Sequence, residues 1–157
     1  MNMEKKKPLK RHKAIIPLSR EHHHTLLLCW KIRKGFSMDI APERMKRYAD
    51  WFFENHILPH FKIEEAYLFP ILGNDHDMVK RALAEHRRLE RLFRDEKEIV
   101  RSLSLIEEEL EKHVRFEERE LFMEIQEQAT PEQLALVEEH HGPEAKFQDN
   151  TEDEFWK

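Results

Sequence analysis

At 157 residues, with 38% charged positions and only three glycines, the chain has the composition of a single helical domain that uses few turn formers. Its formal charge of −5 is uneven: Lys5, Lys6, Lys7, Lys10, Arg11 and Lys13 against Glu4 make the start basic and leave the main body acidic, which argues for a solvated lead-in rather than a nucleic-acid surface. A lone cysteine, Cys29, excludes an internal disulfide and a C-x-x-C thiolate site, and the longest apolar run, Leu26 to Trp30, falls far short of the roughly 20 residues a membrane span needs.

After a lead-in over residues 1–17, Ser19 can cap a first helix that runs to about Lys34, where Gly35 weakens it. Pro42, followed by Glu43, opens a second helix that ends near Leu72, before Gly73-Asn74-Asp75. Pro59 lies inside this helix and removes a backbone donor one residue before His60, so the stretch is either two helices or one kinked helix that aims His60. A third helix runs from about His76 to Arg101. Ser104-Leu105-Ile106-Glu107 has the form of a capping box and restarts the chain as a fourth helix, reaching about Gln128. Thr130-Pro131-Glu132-Gln133 is another, opening a short fifth helix that stops at Gly142-Pro143. Four long helices over residues 18–128 with short loops predict an all-α, antiparallel up-down-up-down four-helix bundle, with a short additional C-terminal helix and tail over 130–157.

The chemistry lies in a repeated block. His60-Phe61-Lys62-Ile63-Glu64-Glu65 and His113-Val114-Arg115-Phe116-Glu117-Glu118 match in kind, and each leads into Leu-Phe. An H-x-x-x-E spacing puts an imidazole and a carboxylate one turn apart on one helix face. With two further histidines preceded by glutamate, Glu21-His22 and Glu85-His86, the set offers four nitrogens and two carboxylates, which suits a dinuclear metal site.

Most such pairs are surface ion pairs, and phase decides the matter. On the fourth helix the seam Ile106, Leu110, His113, Glu117, Leu121, Ile125 carries the pair inside the apolar stripe, and so does Phe53, Ile57, His60, Glu64, Leu68, Ile71 on the second. His86 shares a line with Val79, Ala82, Leu89 and Phe93, and His22 with Leu18, Leu26, Cys29, Ile32 and Phe36. In an up-down bundle these positions fall in one layer, provided that the segment from Pro8 to Pro17 covers the bundle end near His22. Within His22-His23-His24 only one ring can point fully inward; His22 fits the core face best, with His23 as the alternative. His56, one turn before His60, is a further ligand or relay candidate, whereas His12, His76, His140 and His141 read as surface or loop residues, and Tyr67 could lie near the metals or reach solvent.

On Ser19-Arg20-Glu21-His22-His23, His60-x-x-x-Glu64-Glu65, Ala84-Glu85-His86-x-x-Leu89 and His113-x-x-x-Glu117-Glu118, the chain resembles the hemerythrin-like (HHE cation-binding) family from about Leu18 to Gln126. The resemblance implies a non-haem di-iron centre in which Glu64 and Glu117 bridge two iron ions and His22, His60, His86 and His113 are terminal ligands, with an oxo or hydroxo bridge expected. Mn or Zn suits the same donors. Oxygen-carrying members have a fifth histidine where Ala82 stands, and their second carboxylate follows its histidine by five positions. The more symmetric set here resembles the bacterial di-iron proteins proposed to repair iron–sulfur centres.

The expected ligand is a small diatomic or peroxide molecule, O2, NO or H2O2, in a stress-response, sensing or repair role. An alternative is a regulatory, protein-binding helical module with a structural metal, in which the short fifth helix and the C-terminal segment ending in Phe155-Trp156 meet a protein partner or a second copy. No nucleotide-binding glycine loop and no Ser-His-Asp arrangement is present. The lysine-rich start lacks a signal-peptide core, so a cytoplasmic setting is expected.

Overall fold

The computed structural model describes residues 10–157, so Lys5, Lys6, Lys7 and Pro8 of the lead-in lie outside the described residues. Among the described residues the regular structure is all helical, as expected. The elements are α1 (Ile16–Ser37), α2 (42–72), α3 (Asp77–Arg94), α4 (99–128) and α5 (Pro131–His141). The first four form the expected antiparallel bundle, and α5 packs against α2. No helix among the described residues is long and apolar enough to cross a membrane.

Two apolar clusters fill the bundle. One joins the end of α1, the start of α2, the end of α3 and the start of α4 through Ile32, Phe52, Phe53, Phe93, Leu103 and Ile106. The other joins the opposite ends through Leu18, Leu68, Phe69, Val79, Phe122 and Ile125, with Leu134 and Val137 of α5. Ala14 and Ile15 belong to it, so the lead-in does cover the bundle end. Arg11 ties it down, donating to the Glu118 carbonyl at 2.9 Å.

Several boundaries differ from the sequence reading. Ser19 is not the cap of α1: the helix starts at Ile16 with Pro17 in its first turn, and the Ser19 hydroxyl instead donates to Glu118 at 2.9 Å. Nor does Gly35 end it. A methyl group there would stand 2.4 Å from Met45 Sδ and 2.9 Å from Phe155 Cε1, so glycine is what lets α2 and the C-terminal segment approach.

The largest difference is the turn between α3 and α4. α3 stops at Arg94 rather than Arg101, and α4 starts at Ile99 rather than at Ser104, which is an exposed residue inside it. Asp95 makes the break without glycine or proline: its carboxylate accepts from the Lys97 and Glu98 amides at 2.9 and 3.3 Å and from the Ser102 hydroxyl at 2.5 Å. The second box behaves as read, with Gln133 N and Thr130 Oγ1 3.2 Å apart and the return bond at 2.9 Å.

Pro59 neither splits α2 nor breaks it. Ahead of it the helix widens over Phe53–Ile57, where Leu58 N–H reaches back five residues to the Phe53 carbonyl. The wide turn accommodates the ring that would collide with a regular one. A second wide turn, Glu64–Leu68, precedes Pro70, and a third, Glu117–Leu121, occupies the matching place in α4.

Gly35→Ala should destabilise the protein, because overpacking costs about 1–3 kcal/mol and the helix-propensity gain is only ~1 kcal/mol. A lower urea midpoint with an unchanged slope is the expected result.

Candidate metal centre

Between the two apolar clusters lies a layer of six polar side chains, one or two from each bundle helix. Phase along each helix turns them in: His22 from α1, His60 and Glu64 from α2, His86 from α3, His113 and Glu117 from α4. The two glutamates have no exposed surface, and the four histidines are 1–7% exposed. Of the three consecutive histidines it is His22 that enters, while His23 is exposed. On α1 the inward face is completed by Thr25 and Leu28 rather than by Leu26, which is only half-buried.

These side chains form two groups that share both carboxylates. His22, His60, Glu64 and Glu117 make one; Glu64, His86, His113 and Glu117 make the other, and within each the ligand atoms lie within 4.8 Å of one another. The paired rings lie 4.7 Å (His22 and His60, tilted) and 4.9 Å (His86 and His113, edge-on) apart between centroids. Glu64 Oε2 lies 3.4 Å from His60 Nε2 and Oε1 3.2 Å from His86 Nε2, so one carboxylate addresses both groups.

Six of the eight inward atoms have no partner, the exceptions being His22 Nε2 and Glu117 Oε1, which lie 3.0 Å apart as a hydrogen-bonded pair. Nε2 of His60, His86 and His113, both oxygens of Glu64 and Oε2 of Glu117 are buried without a hydrogen bond. Orphaned groups of this kind cost about 1–3 kcal/mol each. Lone pairs of neutral imidazoles and carboxylates aimed at two common points are what a pair of cations requires, so the donor set fits two metal ions.

Outward, each ring faces a carboxylate from a different helix, and the rings of His60, His86 and His113 are hydrogen-bonded to theirs, whereas His22 Nδ1 only approaches Glu118. His60 Nδ1 lies 2.7 Å from Glu21, His113 Nδ1 2.7 Å from Glu85, His86 Nδ1 2.8 Å from Glu65, and His22 Nδ1 3.3 Å from Glu118. An Nδ1–H pointed at a carboxylate leaves Nε2 free to act as the donor atom inside. All four outer carboxylates sit below the usual carboxylate range. For Glu65 the hydrogen bond to His86 is the main cause; for Glu85 and Glu118 burial pulls the other way and is overcome by the histidine contacts. Glu21 falls to about 2, burial again opposing and bonds to His141 and His60 prevailing.

The outer carboxylates are the residues the sequence reading missed as participants, although all four stand inside the repeated motifs. Glu of each Glu-His pair holds the histidine of an H-x-x-x-E-E block, and the last Glu of each block holds the histidine of a Glu-His pair. His141, expected to have no role, caps Glu21 at 2.9 Å. His76 caps α3 by accepting from Met78 N. His56 is not in the cluster; it packs on Trp51 and Phe147, with ring centroids 5.1 and 4.7 Å away. Tyr67 stacks on His140 at 4.0 Å, away from the six. Ala82 is buried among apolar residues, so nothing replaces a fifth imidazole there.

A small enclosed cavity of about 10 Å³ adjoins the cluster, lined by His22, Thr25, Ile57, His60, Phe61, Leu110, His113 and Val114. That is room for one water-sized molecule.

Compared with known proteins, residues 13–125 match the family model described as the hemerythrin HHE cation binding domain. No curated protein and no solved structure matches the chain.

Without metal the cluster must hold protons instead. Burial, and after it the Glu117 charge, pushes the Glu64 carboxyl up to about 8. Against burial, Glu117 and Glu85 raise His113 to about 10. Both groups are raised above their unfolded values, so both bind more protons when folded, and that stability is lost as pH rises through about 8 and about 10. Chelator-stripped protein should therefore lose urea resistance steadily from neutral pH to about 10. Metal-loaded protein, its ligands already deprotonated, should lose much less over that range and should release metal on acidification.

Proposed function

Because the chain belongs to the hemerythrin HHE cation binding domain family, we propose that it holds two iron ions between its four bundle helices and binds or reduces a small ligand, O2, NO or a peroxide. The observation that carries this reading is the pair of buried groups sharing Glu64 and Glu117, with six inward atoms that have no hydrogen-bond partner. In this reading His22 and His60 would hold one ion and His86 and His113 the other, with Glu64 and Glu117, common to both groups, serving both. Bound iron would supply a redox couple and a Lewis acid at a coordination position that six shared protein ligands leave free.

The protein's own part is to orient, to exclude and to select by size. The outer carboxylates fix the ring orientations and keep the imidazoles strong donors. Phe61 lies flat on His86 with 3.6 Å between ring centroids, and Phe122 stacks on His22 at 5.3 Å, so the rings have aromatic walls that keep bulk water away. The small cavity beside the ligands has room for about one water-sized molecule, which leaves no space for an organic substrate. With a small ligand of that kind, the role proposed is in oxidative or nitrosative stress, or in repair of iron–sulfur centres.

A structural metal in a protein-binding module is the competing reading. Phe155, one of the two aromatic residues at the end of the segment assigned to such a partner, is 1% exposed and packs in the chain's own core, with Trp156 partly buried against it. That packing favours the small-ligand reading.

Metal analysis of protein from iron-supplemented cells, with spectra before and after azide, tests the proposal. About two irons per chain and an azide-sensitive absorption band are expected. Iron that ignores azide would make the centre structural, and absence of iron would end the di-iron reading. Glu64→Ala and Glu117→Ala should each lose metal and melt earlier, whereas Glu85→Ala should keep the fold and bind metal roughly 10–100-fold more weakly.

A further inference from the structure

Outside the bundle proper, α1, α2 and the segment after α5 enclose a surface groove of about 530 Å³. The rigid walls are Arg20 and His24 of α1 and Asn55 and His56 of α2. The remaining wall is the irregular chain from Pro143 to Phe147, anchored at both sides: His141 to Glu21 at 2.9 Å, and Asp149 to Lys31 at 2.7 Å. Phe147 lies flat on His24 at 4.0 Å between ring centroids.

Two residues line both this groove and the small inner cavity beside the metal ligands: Thr25 and His60. They are also the most exposed members of the cavity wall, at 9% and 7%, whereas Ile57, Leu110 and Val114 are at 1–2% and Phe61 at 6%. Shared lining and residual exposure coincide at the same point. We propose that the groove is the vestibule through which small ligands reach the metal centre, and that Thr25 is the constriction between vestibule and cavity.

His60 is held from both sides, by Glu21 on Nδ1 and by its place in the metal layer, so it cannot swing aside without disturbing the centre. Thr25 carries no such duty. Its hydroxyl donates to the Glu21 carbonyl one turn back at 3.2 Å, and a residue of its size sets the opening. The C-terminal segment then acts as the vestibule's outer wall, which gives a chain with no periodicity after Gly142 a reason to be fastened so firmly.

The inference rests on the di-iron reading, and azide serves as the probe. The single native cysteine, Cys29, is buried, and burial raises its thiol to about 12, so a cysteine placed elsewhere can be labelled selectively with a maleimide. Asn55→Cys carrying a bulky maleimide should plug the groove; Ser104→Cys, exposed on α4, carries the same label as the control. A plug on the path slows arrival and departure alike, so azide association and dissociation should both fall by roughly tenfold or more, with the equilibrium constant and iron content unchanged. Thr25→Ala should accelerate both, and Thr25→Ile should slow both.

Unplugged rates in labelled Asn55→Cys, or Thr25 variants that leave both rates at the wild-type value, would overturn the route while leaving the metal reading intact. An unmodified protein that holds iron but takes up no azide would remove the small-ligand reading and this one with it.

Discussion

Glu64 and Glu117 reach the middle of the bundle with none of their surface exposed, between two apolar clusters that offer them nothing. Two buried carboxylates side by side repel each other and lose their water, and replacing such charges by apolar residues is often neutral or stabilising. Their presence therefore has to be compensated inside the layer itself. Four imidazoles do so in part, and the pair of cations proposed above would complete it. Much of the remaining polar chemistry of the interior follows from that need, down to the arginines and histidine that steady the outer carboxylates: Arg81 on Glu85, Arg87 near Glu65, Arg11 by Glu118 and His141 on Glu21.

The compensation is organised as a two-fold repeat. α1 and α3 each present a Glu-His pair, α2 and α4 each present an H-x-x-x-E-E block, and the second carboxylates cross over between them. No helix supplies both a ring and the carboxylate that holds that ring's outer nitrogen. The four helices are thus laced together through the site, and docking of the bundle assembles the donor set. The wide turns belong to the same repeat, since one begins at each shared glutamate, with Phe69 N–H reaching the Glu64 carbonyl and Phe122 N–H the Glu117 carbonyl.

Much of this was legible in the sequence, because a period of 3.6 and a repeated motif are local facts. The inward phase of His60, His86 and His113 needed only the apolar stripe around them, and Glu21, Glu65, Glu85 and Glu118 were written in the motifs even though their crossing contacts depend on helix order. The wide turns left a trace too. His113, Glu117, Leu121 and Ile125 step by four three times, and a regular helix of 3.6 residues per turn drifts about 40° with each such step, which a wider turn takes up. What was not legible depends on tertiary contact. Asp95 looks like any acidic helix residue until its carboxylate is seen taking two amides and the Ser102 hydroxyl. Ser104-x-x-Glu107 has the letters of a cap but sits mid-helix. The segment after Gly142 has no periodicity, so neither the burial of Phe155 nor the anchoring of Asp149 on Lys31 and Tyr48 could be read ahead of the fold.

In the proposed reading the polar layer holds two cations between the shared carboxylates. Anomalous diffraction at the iron edge, on crystals grown from iron-loaded protein, tests it most directly. Two peaks are expected inside the bundle, one flanked by His22 and His60, the other by His86 and His113, with Glu64 and Glu117 touching both. A single peak, or iron bound only at the surface while the six side chains close on one another, would contradict it.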